Sequence, residues 1–182
     1  LMLQIYKTLN DNGKKNYISI NGFGRPFSIN FHNQYYYITD MDLNTVFKIS
    51  MDLKQYSLIY DNHGWSQNIY FSEKKIRREK KKKKKKREKK KNKKKKPMLF
   101  NGPHSIDFSS NDDFYVTNYY SSEILVFDDN GFLKKKLYNS LLKGPATGFF
   151  DTKGNFWISE YKLNRLICIN PKKNIILKKI SS

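Results

Sequence analysis

Along most of this chain, aromatic and β-branched residues alternate with polar ones in short runs, and each run ends in a cluster of Asn, Asp, Ser or Gly. That two-residue period places side chains on opposite faces of extended backbone, so the runs predict strands. Three glycine-led segments align at sight: Gly24-Arg-Pro-Phe-Ser-Ile-Asn-Phe31, Gly102-Pro-His-Ser-Ile-Asp-Phe108 and Gly144-Pro-Ala-Thr-Gly-Phe-Phe150. Each leads through a polar turn to a second run at 35–40, 114–118 and 156–160. Third runs follow at 45–49, 123–127 and 165–169, and fourth runs at 55–60, 132–138 and 174–180.

A four-stranded unit that recurs with turns between its strands describes the blade of a β-propeller rather than a helical repeat. Gly102 and Gly144 are 42 residues apart, whereas Gly24 and Gly102 are 78 apart, which leaves room for a 36-residue insertion or a further, damaged repeat. The damaged repeat is the preferred reading, because Gly64-Trp-Ser-Gln-Asn-Ile-Tyr-Phe71 puts Ile69 and Phe71 where Ile29 and Phe31 stand in their own unit. The spacings then become 40, 38 and 42. The expected architecture is all-β, an open partial propeller of antiparallel four-stranded blades. Its units are a half blade at 1–20 around an Asn12-Gly13 turn, a blade at 22–60, a degenerate blade at 64–101, and blades at 102–142 and 144–182. A six-bladed ring needs about 240 residues at about 40 per blade, so the chain reads as part of a larger ring whose missing blades belong to a longer protein.

The second strands read Tyr37-Ile38-Thr39-Asp40 and Tyr115-Val116-Thr117-Asn118, and a third strand opens Asn164-Arg165-Leu166. In this the units resemble NHL repeats. Gly154-Asn155-Phe156-Trp157-Ile158-Ser159-Glu160 resembles the signature of virginiamycin B lyase-like propellers. The likeness covers most of the chain and specifies fold more than function, since propellers host scaffolds, hydrolases and lyases. The lyase resemblance implies a catalytic His just after the Gly-Pro and a metal-binding Glu at the end of the second strand of the same blade. Here the two are split. His104 faces Asn118 where the Glu belongs, and Glu160 faces Ala146 where the His belongs.

Antiparallel pairing brings the start of each first strand to the end of the second. The ligand-binding candidates on that face are Arg25, Asp40, His104, Asn118, Tyr119, Tyr120 and Glu160, with Tyr119 and Tyr120 in a turn beside His104. The alternative for Asp40, Asn118 and Glu160 is that they cap turns by bonding nearby backbone amides. His32 and His63 lie in turns without a second metal ligand at a suitable spacing. Trp65, Trp157 and the tyrosines at 35, 36, 37 and 115 offer either a stacking surface or packing between blades.

Charge changes the picture in one place only. The net charge is +20, yet residues 74–96 hold 19 Lys or Arg and two acids, so +17 lies in this tract and +3 elsewhere. Such a run does not fold compactly, because neighbouring like charges repel and nothing apolar is available to bury. It suits a polyanion such as RNA, DNA or anionic lipid; the alternative is an expanded lysine codon in an AT-rich gene, or an A-rich stretch wrongly read as coding. The single cysteine, Cys168, excludes an internal disulfide and a CxxC site and lies in an apolar run, as a packed thiol would. No apolar run is long enough for a membrane-spanning helix, and the N-terminus lacks the pattern of a signal peptide.

These features point to a non-catalytic scaffold that binds a protein or small molecule through one face of the ring, with no cofactor. The alternatives are a metal-dependent lyase or lactonase, in which Asp40, Asn118 and Glu160 hold a divalent cation, and polyanion binding through the lysine tract.

Overall fold

The computed structural model describes residues 2–9, 15–70, 99–137 and 142–181. The chain builds a two-stranded hairpin and then three antiparallel fans in sequence order. The hairpin is β1 (Met2–Leu9) with β2 (Lys15–Asn21), paired from Met2↔Asn21 to Leu9↔Lys15. The Asn12-Gly13 turn lies outside the described residues. The first fan holds β3 (Pro26–His32), β4 (Tyr35–Asp40), β5 (Thr45–Ser50), β6 (Gln55–Ile59) and β7 (Ile69–Tyr70). The second holds β8 (Pro103–Phe108), β9 (Phe114–Asn118), β10 (Glu123–Phe127) and β11 (Leu133–Leu137). The third holds β12 (Pro145–Phe150), β13 (Phe156–Glu160), β14 (Arg165–Asn170) and β15 (Ile175–Ser181). These are propeller blades, stacked in one row that does not close on itself. Their tight turns place Asn44, Ser122 and Asn164 at positive φ, a conformation that asparagine tolerates well.

The pleat gives each fan two apolar faces, and the row buries one against the next. Tyr37, Val46 and Ile59 of the first fan meet Ile106, Phe114, Val116, Leu125 and Phe127 of the second, where the rings of Phe114 and Phe127 stack at 4.9 Å. Tyr115, Ile124, Val126 and Leu137, on the other face of the second fan, meet Phe156, Ile158, Ile167 and Ile169 of the third. The middle fan is covered on both sides, so β9 is buried at every position. Gly148 stands where Ile29 and Ile106 stand in the other repeats, because a Cβ there would lie 2.5 Å from the Phe156 ring.

The innermost strands β3, β8 and β12 lie side by side but splay apart, so side chains make the bonds that a ladder would otherwise make. Thr39 Oγ1 donates to the His104 carbonyl at 2.9 Å, and Thr117 Oγ1 donates to the Ala146 carbonyl. Asn30 Nδ2 donates to Asp107 Oδ1 at 2.9 Å, while Asp107 Oδ2 accepts from the Phe150 amide at 2.7 Å. Ser105 Oγ accepts from the Gly148 amide at 2.8 Å. Cys168 is buried, as its alternating run predicts, and burial pushes its thiol pKa up.

The degenerate blade expected at 64–101 is corrected by the pairing. Ile69, assigned from sequence to an innermost strand, sits at the outer edge of the first fan, where Tyr56 pairs with Ile69 and Gln55 with Tyr70. The first and second fans touch directly, with no blade between them. The glycine at 64 serves a different purpose from those that open blades: its φ is +76°, and a Cβ would lie 2.9 Å from the Asn130 carbonyl. That close approach lets the Trp65 amide donate to Asn130 O at 3.1 Å and the Trp65 indole donate to Asp129 O at 3.0 Å. On the return, Phe100 is fully buried beside Phe127. Residues 64–70 and 99–101 therefore pack onto the first and second fans and do not open a blade between them. Phe71 and the lysine tract lie outside the described residues.

Thr117 is the test of the inter-blade bonds, since its buried hydroxyl accepts from the Ser105 amide at 2.9 Å and donates to the next blade. Thr117→Val keeps the volume but leaves the Ser105 amide and the Ala146 carbonyl without this partner, and it lowers unfolding free energy by about 1–3 kcal/mol in urea denaturation.

Candidate functional site

The chain uses the junction between the first and second strand of each blade twice, once as a buried clamp and once as an exposed surface. In the clamp, the last residue of the second strand turns inward and holds the segment that leads into the first. Asp40 accepts from the amides of Gly24 at 2.7 Å, Arg25 at 3.0 Å and Leu43 at 3.0 Å. Gly24 is required for this approach, since a Cβ would sit 2.8 Å from that of Asp42. Asn118 accepts from the Asn101 amide at 2.7 Å and donates to Glu123 at 3.1 Å. Glu160 accepts from the Lys143 amide and pairs with the Arg165 guanidinium. All three side chains are fully buried. Asp40 caps the turn after its own strand through Leu43, as the capping alternative expects, but Asn118 and Glu160 take their backbone bonds from the distant lead-in instead, and the oxygens of all three are turned away from the surface.

The exposed surface is a row of rings. The residue after each blade's leading proline is Phe27, His104 or Ala146, and the register sets Pro26 opposite Asp40, Pro103 opposite Asn118 and Pro145 opposite Glu160. A bulge after each proline marks the same place in every blade. The Phe27 and His104 rings lie 3.9 Å apart, His104 and Tyr119 stack at 5.8 Å, and Tyr119 continues to Tyr120 at 5.2 Å and Tyr161 at 6.3 Å. Phe27, Tyr120 and Tyr161 are exposed, and His104 and Tyr119 are half-buried. Cations flank the row: the Arg25 guanidinium lies 5.9 Å from the Phe27 ring and is paired with Asp42 at 3.0 Å, and Lys162 Nζ lies 5.4 Å from Tyr119. The glycines at 102 and 144, both at positive φ, let the tyrosines close down on the turns, for a Cβ at Gly102 would fall 2.5 Å from the Tyr120 ring.

His104 is the one imidazole within the row. Burial, and then the nearby Arg25 charge, hold its pKa below the ordinary imidazole value, so it is neutral at neutral pH and can both donate and accept. The structure brings together Arg25, His104, Tyr119 and Tyr120 of the residues singled out from sequence, and withdraws Asp40, Asn118 and Glu160. It adds Phe27, Tyr161 and Lys162. Their signal was in the repeat: Phe27 holds the place of His104, and Tyr161 and Lys162 hold the places of Tyr119 and Tyr120. Among the described residues no group of three His, Cys, Asp or Glu side chains could hold a metal ion. The divalent-cation set of the lyase resemblance does not fit, because Asp40 and Glu160 already spend their oxygens on backbone amides and an arginine. His32 and His63 instead meet Asp112 at 2.7 Å and Asp61 at 2.9 Å. Trp65 packs in the first inter-blade core, and Trp157 donates to Asp151 at 3.0 Å, a bond that helps hold the Asp151 pKa down to about 2.

Residues 100–127, the first three strands of the second blade with their lead-in, match the model of the NHL repeat. The fold is that of β-propeller blades, one of which carries this NHL-repeat match. Among solved structures, the propeller is similar to virginiamycin B lyase from Staphylococcus aureus, with a TM-score of 0.58 and 14% identity over 95% of this chain and 47% of that one. It is also similar to the hydrazine synthase of Kuenenia stuttgartiensis, with a TM-score of 0.55 and 11% identity over 89% of this chain and 37% of that one. A third likeness is to the dihydro-heme d1 dehydrogenase NirN, with a TM-score of 0.53 and 10% identity over 94% of this chain and 31% of that one. The chain spans about half the length of the lyase and less of the other two. At these identities the likeness is one of fold. No curated protein matches the sequence. Among the described residues no helix is long and apolar enough to cross a membrane.

The depressed pKa of His104 sets a pH dependence with a definite sign. Below the ordinary imidazole value the unfolded chain binds more protons at this residue, so its contribution to stability is lost as the pH falls through that value and on through the lower folded one. Thermal melts between roughly pH 7 and 5 will show a smaller loss for His104→Phe than for the parent chain.

Proposed function

We propose that the protein is a non-catalytic scaffold that binds a protein or small-molecule ligand on the ring-lined face. The observation that carries this is the combination of a row of rings from three successive blades, exposed at Phe27, Tyr120 and Tyr161 and half-buried at His104 and Tyr119, with carboxylates that are buried and bonded beneath them. Aromatic faces offer stacking area at little entropic cost, and flanking Arg25 and Lys162 suit a ligand with planar or acidic groups. Acid-base chemistry of the lyase kind has weak support, because the amide of Asn118 takes the place of the partner carboxylate beside His104.

A peptide-display selection tests the reading directly. Peptides enriched on the parent protein will lose at least about tenfold in affinity on the Tyr119→Ser, Tyr120→Ser double variant and keep it on His32→Ala at the opposite end of the strands. Enriched peptides that ignore the tyrosines would refute it. Magnesium and calcium will leave the melting temperature unchanged, whereas stabilisation by either ion would favour the metal-dependent enzyme.

A second reading concerns the lysine tract. Trp65 and Phe100, on either side of the tract in sequence, are packed against the first and second blades, which meet each other directly. Its +17 charge suits contact with RNA or another polyanion. Heparin and RNA binding will fall steeply between about 50 and 200 mM salt and will vanish when residues 74–96 are replaced by a neutral linker of equal length.

A further inference from the structure

Two places after each buried clamp residue, a side chain stands over the glycine that opens its own blade: Asp42 over Gly24, Tyr120 over Gly102 and Lys162 over Gly144. These equivalent positions read acid, neutral ring and cation along the row, so the ring-lined face has a direction. At the first blade the charge is already answered, because Asp42 pairs with the Arg25 guanidinium at 3.0 Å. At the third it is not. Lys162 is exposed, and among the described residues no carboxylate lies within ion-pair distance of it. Glu160, the acid nearest to it in sequence, is buried and bound to the Arg165 guanidinium.

Lys162 belongs to the junction between the second and third blades. A Cβ at Gly144 would lie 3.0 Å from the Lys162 stem and 3.1 Å from the Tyr119 ring of the second blade, so the two side chains share one glycine. Lys162 Nζ is 5.4 Å from the centre of that ring, and Tyr120, 52% exposed, meets the same ring edge to face at 5.2 Å. An exposed ring and an uncompensated cation are thus neighbours of one tyrosine.

A ligand that meets both carries an anion close to a ring. In an extended peptide the side chain next to an aromatic one points to the opposite face, and the following one on the same face is roughly 7 Å along. An aromatic residue at a C-terminus has its carboxylate on the residue that bears the ring. A lone ammonium is a compact point charge without the planar fork that recognises phosphate in two places, which favours a single carboxylate. Building on the reading of this face as a binding surface, we infer that it takes the C-terminal aromatic residue of a peptide, with the carboxylate on Lys162 and the ring on Tyr120. Arg25, neutralised by Asp42, does not read that charge.

The probes are the tripeptide acetyl-Gly-Gly-Tyr and its C-terminal amide, followed by chemical-shift titration of the protein. The free acid will bind about two- to fivefold more tightly than the amide at low salt, and the preference will shrink above about 500 mM salt. Lys162→Met will bind the two alike, and Lys162→Arg will restore the preference. The double variant Arg25→Gln, Asp42→Asn, which removes the other cation without changing net charge, will keep it. Equal binding of acid and amide by the parent protein, or a preference that survives Lys162→Met, would overturn the inference and leave the binding surface itself standing. Absence of binding by either tripeptide would overturn it as well, and the peptide-display selection then decides the wider reading on its own.

Discussion

Stacking of one pleated sheet on the next is the interaction on which the rest of this structure depends. A strand that alternates apolar side chains to both faces is of no use alone, because one face stays in water whichever way it turns. Repeating the sheet sideways covers both faces, as in the second blade, where Phe114, Val116, Leu125 and Phe127 face one neighbour and Tyr115, Ile124 and Val126 face the other. The same stacking forces the inner strands together without a ladder. Threonines 39 and 117 and the pair Asn30 and Asp107 answer that with side-chain bonds, which keep buried backbone groups from going unsatisfied.

The site is a by-product of that arrangement. Each blade ends its second strand with a polar residue, and packing against the lead-in to the first strand drives this residue inward. Its oxygens serve the amides of a turn that has left regular structure. What remains outside is the residue after the proline in the first two blades, Phe27 and His104, and the residues after the second strand. Because successive blades lie close, these meet across blade boundaries: Phe27 of the first blade touches His104 of the second, and Tyr119 of the second touches Tyr161 of the third. Neither pair would exist within a single repeat.

Residues 64–70 show how local likeness misleads. Gly64 followed by Ile69 matches the opening of a blade in residue type and spacing, and a repeat spaced at 40 and 38 residues looks regular. In the fold, Gly64 is a glycine because the Asn130 carbonyl comes too close for a side chain, and Ile69 belongs to an outer edge. Trp65 and Phe100 join the core in which the first and second blades pack directly on each other.

The sequence by itself determined the strands, their turns and the blade as the repeating unit, because alternation and turn chemistry are local and act within a few residues. It also located His104, Tyr119 and Tyr120 on one face, since antiparallel pairing fixes which strand ends meet. Only the tertiary structure decided that Asp40, Asn118 and Glu160 point inward, that Phe27, Tyr161 and Lys162 join the row, and that Gly64 and Ile69 do not open a blade. Those outcomes depend on which sheets become neighbours and how closely their turns approach, and contacts between residues some 80 positions apart leave no periodic trace in the chain.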